Sequence, residues 1–305
     1  MKIIRTVPSM TAWSERLRRE GVTIGFVPTM GALHDGHRAL IRTSRLRCDA
    51  LVVSIFVNPA QFSPTEDLSK YPRPIARDRA LCREEGVDVC FEPTAGGMYP
   101  ADFQTIVTVP VIARRWEGAA RPHHFTGVAT VVTKLFRIVQ PHLAWFGQKD
   151  YQQAALVRQL VHDLNLGVKI QIRPTVRERD GLAMSSRNVY LSANERRMAP
   201  LLSQALRVGR RMIADRVRDV AAIEQAMRQP LKREPTIHVE YLAVCDPDGL
   251  EPLPVVATHA VLLGAVQIGS VRLIDNMLVR IPSRKIRATL SPAQPQSVRC
   301  VPASR

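Results

Sequence analysis

Lysine is scarce in this chain, supplying only seven of the 43 basic residues, and aromatic residues make up only 5%. A protein that stacks nucleic-acid bases needs aromatic platforms among its cations, and no RRM, KH or helix-turn-helix pattern occurs. Long apolar runs are missing too. LVVSIFV at 51–57 is among the longest, far short of a membrane span, and the first twenty residues hold no continuous apolar stretch of signal-peptide type. No C-x-x-C pair or zinc-finger spacing exists: Cys48, Cys82, Cys90, Cys245 and Cys300 are odd in number and scattered. These absences predict reduced thiols in a soluble, cytoplasmic protein with neither a membrane nor a nucleic acid as its partner.

What is present is an ordinary globular composition, 305 residues with 46% hydrophobic, enough to bury a large core without staples. The net charge of +16 is almost all guanidinium, a planar fork suited to phosphate and carboxylate. Part of that surplus sits at the end: Arg280, Arg284, Lys285, Arg287, Arg299 and Arg305 follow Asn276 with no acidic residue among them.

Short β-branched runs recur through the first half, at 22–27, 51–57, 87–91, 105–109, 143–146 and 168–172. Helix-period segments lie between several of them, from His37 to Cys48, Pro74 to Glu85, Gly127 to Val139 and Tyr151 to Leu164. Strand alternating with helix predicts an α/β doubly wound parallel sheet over residues 1–175. After about residue 175 the rhythm changes to a loop, then helix from Ala193 to Arg228 broken near Pro200, then strands at 237–245, 259–268 and 270–275. That pattern predicts a second, smaller α+β domain over 176–276, followed by a basic, poorly ordered tail over 277–305.

The segment richest in chemistry is GFVPTMGALHDGHRALI at 25–41, where a strand ends near Pro28, a glycine turn follows and a helix starts near His37. Open α/β sheets bind ligands at the carboxyl ends of their strands, where helix N-termini offer free N–H groups to phosphate. His34 and His37, three apart, share a helical face there and can address one phosphate group. Gly31 and Gly36 have Walker-loop spacing, but His37 and Arg38 stand where that loop needs Lys and Ser or Thr. No G-x-G-x-x-G run exists to mark a dinucleotide fold. Asn58 and Gln61 follow the 51–57 strand, and Gln153 begins the helix after 143–146. Amides at such places suit a ligand bearing hydroxyls and a carboxylate, since they donate and accept without charge.

The string PTMGALHDGH at 28–37 resembles the signature of the pantothenate synthetase family, within the H-x-G-H nucleotidyltransferases. Four further blocks are similar to that family in the expected order: SIFVNPAQF at 54–62, RPHHFTGVATVV at 121–132, FGQKDYQQ at 146–153 and GLAMSSRN at 181–188, with RLIDN at 272–276 closing the likeness. The resemblance implies a Rossmann-like fold with the smaller domain as a lid, and ATP-dependent joining of pantoate to β-alanine through an acyl-adenylate, as a homodimer. It implies catalytic roles for His34, His37, Lys149 and Arg187, with His37 as an acid. ATP would also meet Met30, Gly31, Gly36, Gly147, Gln148, Asp150, Val176, Met184, Ser185 and Ser186. Pantoate or β-alanine would meet Asn58, Gln61, Gln153 and His124. Asp78 and Asp150 are the acidic candidates for orienting Mg2+ on the triphosphate. His123, beside His124, departs from the family's small residue. The alternative is another H-x-G-H nucleotidyltransferase acting on a different small acid or phosphate acceptor.

Overall fold

The computed structural model describes residues 1–63 and 68–281. Six parallel strands form the main sheet, β1 (Lys2–Ile4), β2 (Ile24–Thr29), β3 (Ala50–Ile55), β4 (Val89–Phe91), β5 (Leu143–Gly147) and β6 (Lys169–Arg173), in the order β1-β4-β3-β2-β5-β6. Helices α1 (Val7–Arg19), α2 (Asp35–Arg45) and α3 (Ile75–Glu84) come between the first strands. Three single turns, α4 (Ala95–Met98), α5 (Pro110–Ala113) and α6 (Glu117–Ala120), then lead to α7 (His124–Val139) and α8 (Tyr151–Asp163).

Period-two alternation sends Phe26 and Val52 to one face of the sheet, where they pack with residues of α1, α7 and α8. Val27, Leu51 and Val53 go to the other face, against Leu40 and Ile41 of α2 and Leu81 of α3. With both faces covered, the strands read as continuous apolar runs, which is why periodicity alone found them. The chain winds one way from β2 through β3 to β4, then returns to place β5 on the other side of β2. This makes β2 and β5 the switch point, where a crevice opens beyond the strand ends.

The second sheet is antiparallel, β7 (Ile237–Cys245), β8 (His259–Ile268) and β9 (Val271–Arg280), in that order. One face, with Leu242, Val244, Leu262 and Val266, packs on α9 (Ala193–Met198), α10 (Leu201–Ala214) and α11 (Val220–Lys232). Ala243, Cys245, Val261 and Leu263 on the other face join the core of the parallel sheet. A β-bulge between Val239 and Tyr241 interrupts the alternation, so that Glu240 and Tyr241, adjacent in sequence, both reach the Arg272–Glu117 cluster where the second sheet meets α6.

Several expectations need correction. TIVTV at 105–109 forms no strand among the described residues: β1 already occupies the position beside β4, and Ile106 is 66% exposed. β1 and α1 were not foreseen. The helix-rich stretch expected over Ala193 to Arg228 is broken near Pro200 as expected, but also around Arg216, whose φ is 66°, so that it holds three helices. β9 continues to Arg280, so Met277 to Arg280 are strand and not tail, and the Ile281 N–H bonds the Thr258 carbonyl; residues 282–305 of the expected tail lie outside the described residues. Among the described residues no helix is long and apolar enough to cross a membrane.

Candidate active site

The strand-turn-helix at 24–45 is held by reciprocal bonds. Gly31 and Ala32 adopt positive φ, 84° and 51°, which turns the backbone N–H groups of Ala32 and Leu33 inward. Both are captured by the Asp78 carboxylate, at 2.9 and 2.8 Å. Burial pushes the Asp78 carboxyl above its usual range in spite of these two donors. A Cβ at Gly36 would come within 2.8 Å of the His34 ring, so glycine is needed there for the imidazole to lie where it does.

His34 is the N-cap of α2. Its Nδ1 accepts the N–H of Gly36 at 3.1 Å, and His37 Nδ1 accepts the N–H of His34 at 3.3 Å. An acceptor nitrogen carries no proton, so both neutral rings must hold theirs on Nε2. The rings lie 4.1 Å apart and line the cleft. Desolvation, aided by the charge of Lys149, lowers His34 to about 4. Desolvation, followed by His34 and Lys149, lowers His37 to about 3. Both are therefore neutral donors at pH 7. The unfolded chain takes up these protons near pH 6.5 and the folded one does not, so the pair contributes stability fully above that value and loses it as pH falls toward 4. In the ligand-free protein, NMR titration of the imidazole Cε1–H signals should show two histidines that do not shift between pH 8 and about 5. Midpoints near the ordinary histidine value for both would contradict the assignment.

Lys149 and Asp150 follow β5 and face the histidines across the switch point. Lys149 Nζ lies 3.8 Å from Asp150 Oδ1. Asp150 is also the N-cap of α8 but makes no side-chain cap bond, so the N–H groups of the first turn point at the cleft uncapped. A Cβ at Gly147 would meet nothing within 4 Å, which leaves open space against this backbone. On a third side the segment from Met184 to Arg187 lines the cleft, with the Ser185 hydroxyl accepting the N–H of Arg187 at 3.2 Å. Val176 lines it too, and its carbonyl accepts the N–H of Met184 at 3.0 Å.

After β3, a single 3-10 turn presents Gln61. Asn58 Nδ2 donates to Gln61 Oε1 and to the carbonyl of Gly127, each at 3.1 Å, and Gln61 Nε2 donates to Met30 Sδ. A Cβ at Gly127 would fall 2.2 Å from the Ala60 carbonyl oxygen, so only glycine lets α7 approach this turn. His124 Nδ1 bonds the carbonyl of Gln61 at 3.1 Å, which makes Nδ1 its protonated nitrogen. Gln153, on the first turn of α8, makes no side-chain hydrogen bond among the described residues and lines the same space. The whole cleft measures about 1040 Å3. Lys70, Arg121, Lys149, Arg173 and Arg187 line it, and of the acids there Glu117 and Asp275 are already paired with Arg272 and Arg177. It is built for an anion.

The pantoate-beta-alanine ligase family profile matches residues 2–278. The chain belongs to that family. It is 50% identical to the pantothenate synthetase of Heliobacterium modesticaldum over 281 residues, 92% of this chain and all of that one. The crystal structure of pantothenate synthetase from Thermus thermophilus superposes with a TM-score of 0.86 at 46% identity, covering 91% of this chain and 99% of the other. The pantoate-beta-alanine ligase of Francisella tularensis, solved in complex with beta-gamma ATP and beta-alanine, gives a TM-score of 0.76 at 33% identity, over 91% and 97% of the two chains.

Seen as a ligase of this family, the chain brings together most of the residues its motifs single out, with four exceptions. Asp78 does not line the cleft, because both its oxygens are held by the turn it supports; it positions the H-x-G-H segment and does not face a metal. Asn58 lines the cleft, but its amide is committed to Gln61, Gly127, Ala60 and Tyr99, so it orients Gln61. Gly31 and Gln148 lie behind the lining, the first serving the turn and the second bonded to Asn276. His123 is exposed, while His124 faces the site. Sequence reasoning passed over Arg121, although it sits within the RPHH block, and gave no role to Arg173 or Lys70. A cation inside a recognised block, or just past a strand's carboxyl end, was the available signal.

Proposed function

We infer that this chain catalyses the ATP-dependent condensation of (R)-pantoate with β-alanine to give pantothenate, through a pantoyl-adenylate. The observation that carries the reading is that two neutral Nε2–H donors, Lys149 and the uncapped N-terminus of α8 line the same switch-point cleft. A carboxylate oxygen of pantoate attacks the α-phosphorus of ATP, and the bond to pyrophosphate breaks. The ammonium of β-alanine gives one proton to solvent, the resulting amine attacks the acyl carbon, the bond to AMP breaks, and a second proton leaves the nitrogen as the amide forms.

Negative charge grows on phosphate oxygens in the first step, and positioned donors answer it without a protein nucleophile. Both rings are neutral in the ligand-free protein, and His34 and His37 would donate to those oxygens from Nε2. Lys149, Arg187 and the Ser185 and Ser186 hydroxyls would hold the triphosphate, and Met30, Val176 and Met184 would flank the nucleoside. Asp150, half exposed and lining the cleft, fits Mg2+ as a single carboxylate beside phosphate oxygens and water, and the cation would neutralise triphosphate charge.

Gln61 and Gln153 would take the pantoate hydroxyl and carboxylate, with His124 beside them. Gln61→Ala should raise the pantoate KM by about tenfold while leaving that for ATP within about twofold; an unchanged pantoate KM would count against the assignment. We further propose residues 1–175 as the nucleotide and pantoate domain and 176–276 as the lid, in a cytoplasmic homodimer. The exposed Ile106, within the TIVTV segment, and Val111, just after it, are the apolar surface such a dimer would cover. The reaction is tested by AMP formation from ATP, pantoate and Mg2+ with and without β-alanine. AMP and pantothenate in equal amount, only when all are present, is the expected result. Pyrophosphate release to which β-alanine adds nothing would mean a different acceptor.

A further inference from the structure

The carbonyl oxygens of Gln148 and Lys149 fall in a gap in the backbone. The β5–β6 ladder ends with Gly147 opposite Arg173 and the Gln148 N–H bonded to Arg173, and α8 takes its first carbonyl from Asp150. Neither ladder nor helix therefore accounts for these two acceptors. Both are met by one side chain from the other sheet: Asn276 Nδ2, on β9, donates to the carbonyls of Gln148 and Lys149 at 2.8 Å each. Its Oδ1 accepts from Gln148 Nε2 at 3.2 Å. Asn276 is 2% exposed and both amide hydrogens are used.

We propose that Asn276 is a positioning residue for Lys149, fixing the backbone from which the lysine reaches the phosphates. The inference rests on the reading of Lys149 given above. Only an amide meets the requirement of two donors and one acceptor at this place. Aspartate is the same size but would set a buried carboxylate against two carbonyl oxygens. β9 does not depend on Asn276 to stay in place, because Arg272 is bonded to Glu117 and Glu240, Asp275 to Arg177, and the ladder to β8 runs on both sides. Removing the amide thus frees the 148–149 backbone and leaves the strand.

The test is a double-mutant cycle on single-turnover pyrophosphate release from ATP and pantoate, with thermal unfolding recorded for each protein. Asn276→Ala should slow release by about tenfold or more, because small misplacements of a charge-stabilising group are costly, and Asn276→Asp should slow it further. Pantoate affinity, set by Gln61 after β3 and by Gln153 on α8, whose first turn is held by the Tyr151 and Gln152 side chains, should move by less than about twofold, and in a Lys149→Ala background Asn276→Ala should add less than about twofold. The same factor in both backgrounds would overturn the proposal, since a merely structural effect does not need the lysine. A slow Lys149→Ala with a normal Asn276→Ala would overturn it alone; a normal Lys149→Ala would remove the reading of Lys149 and the proposal with it. Should Asn276→Ala fail to fold, Gln148→Ala, which releases the amide's orientation and keeps the strand, takes its place in the cycle with the same criteria.

Discussion

Lys149→Ala and His37→Ala are each expected to slow adenylation by about 100-fold or more while the fold survives. The size of the effect follows from the place of these groups in the crevice. Charge appears on phosphate oxygens only as the α-phosphorus is attacked, and a donor already aimed there needs no reorganisation. Lys149 contributes little to stability, since its ion pair is with the exposed carboxylate of Asp150 at 3.8 Å. His37→Ala removes one cap bond of α2, a loss of about 1 kcal/mol, so a modest fall in melting temperature should accompany the loss of rate. Single-turnover pyrophosphate release is the readout. Normal release in either folded variant would remove that residue from the mechanism.

Arg272→Ala should destabilise the protein by about 3 kcal/mol at neutral pH, because it leaves a buried carboxylate without its partner. Arg272 donates to both oxygens of Glu117, at 2.7 and 2.6 Å, and to Glu240, and the Tyr241 hydroxyl donates to Glu117 at 2.7 Å. Burial alone would raise the Glu117 carboxyl, but the guanidinium and the phenol hold it below its ordinary range. A carboxyl depressed in the folded state contributes stability above its unfolded value, near 4.5, and that contribution is lost as pH falls below it. In Arg272→Ala the sign reverses: Glu117 keeps its burial, its pKa rises, and protonation relieves the strain. Urea unfolding at about pH 8 and about pH 4.5 should therefore show a gap between the two proteins that narrows on acidification. A gap that is constant with pH would mean the pair is not what ties β9 to α6.

The layered architecture was legible because buried parallel strands are continuous apolar runs and their crossover helices are long. β1 escaped notice because three residues carry no period, and TIVTV misled because its β-branched alternation expresses propensity with no vacant ladder to fill. The H-x-G-H spacing placed both imidazoles on one face. It could not reveal that each caps the other's backbone and so fixes the proton on Nε2, because that capping box is made of two histidines and not of serine and glutamate. Asp78 and Asn58 were misjudged for a shared reason. A carboxylate or amide near a ligand-binding turn has the same sequence signature whether it faces the ligand or holds the turn, and only Ala32, Leu33 and Gln61 as partners decide it. RLIDN was recognised as a block without a role. Its three polar side chains reach Glu117, Arg177 and the 148–149 backbone, contacts between segments far apart in the chain that no local pattern encodes.

The central claim is that pantoate is activated by its own carboxylate oxygen becoming bonded to the α-phosphorus. Pantoate labelled with 18O in both carboxylate oxygens, turned over with ATP and β-alanine, tests it directly by mass spectrometry of the products. The account predicts one labelled oxygen in each AMP and one retained in the amide carbonyl of pantothenate. AMP free of label, alongside label-bearing pantothenate, would contradict an acyl-adenylate and with it the role given to the crevice between β2 and β5.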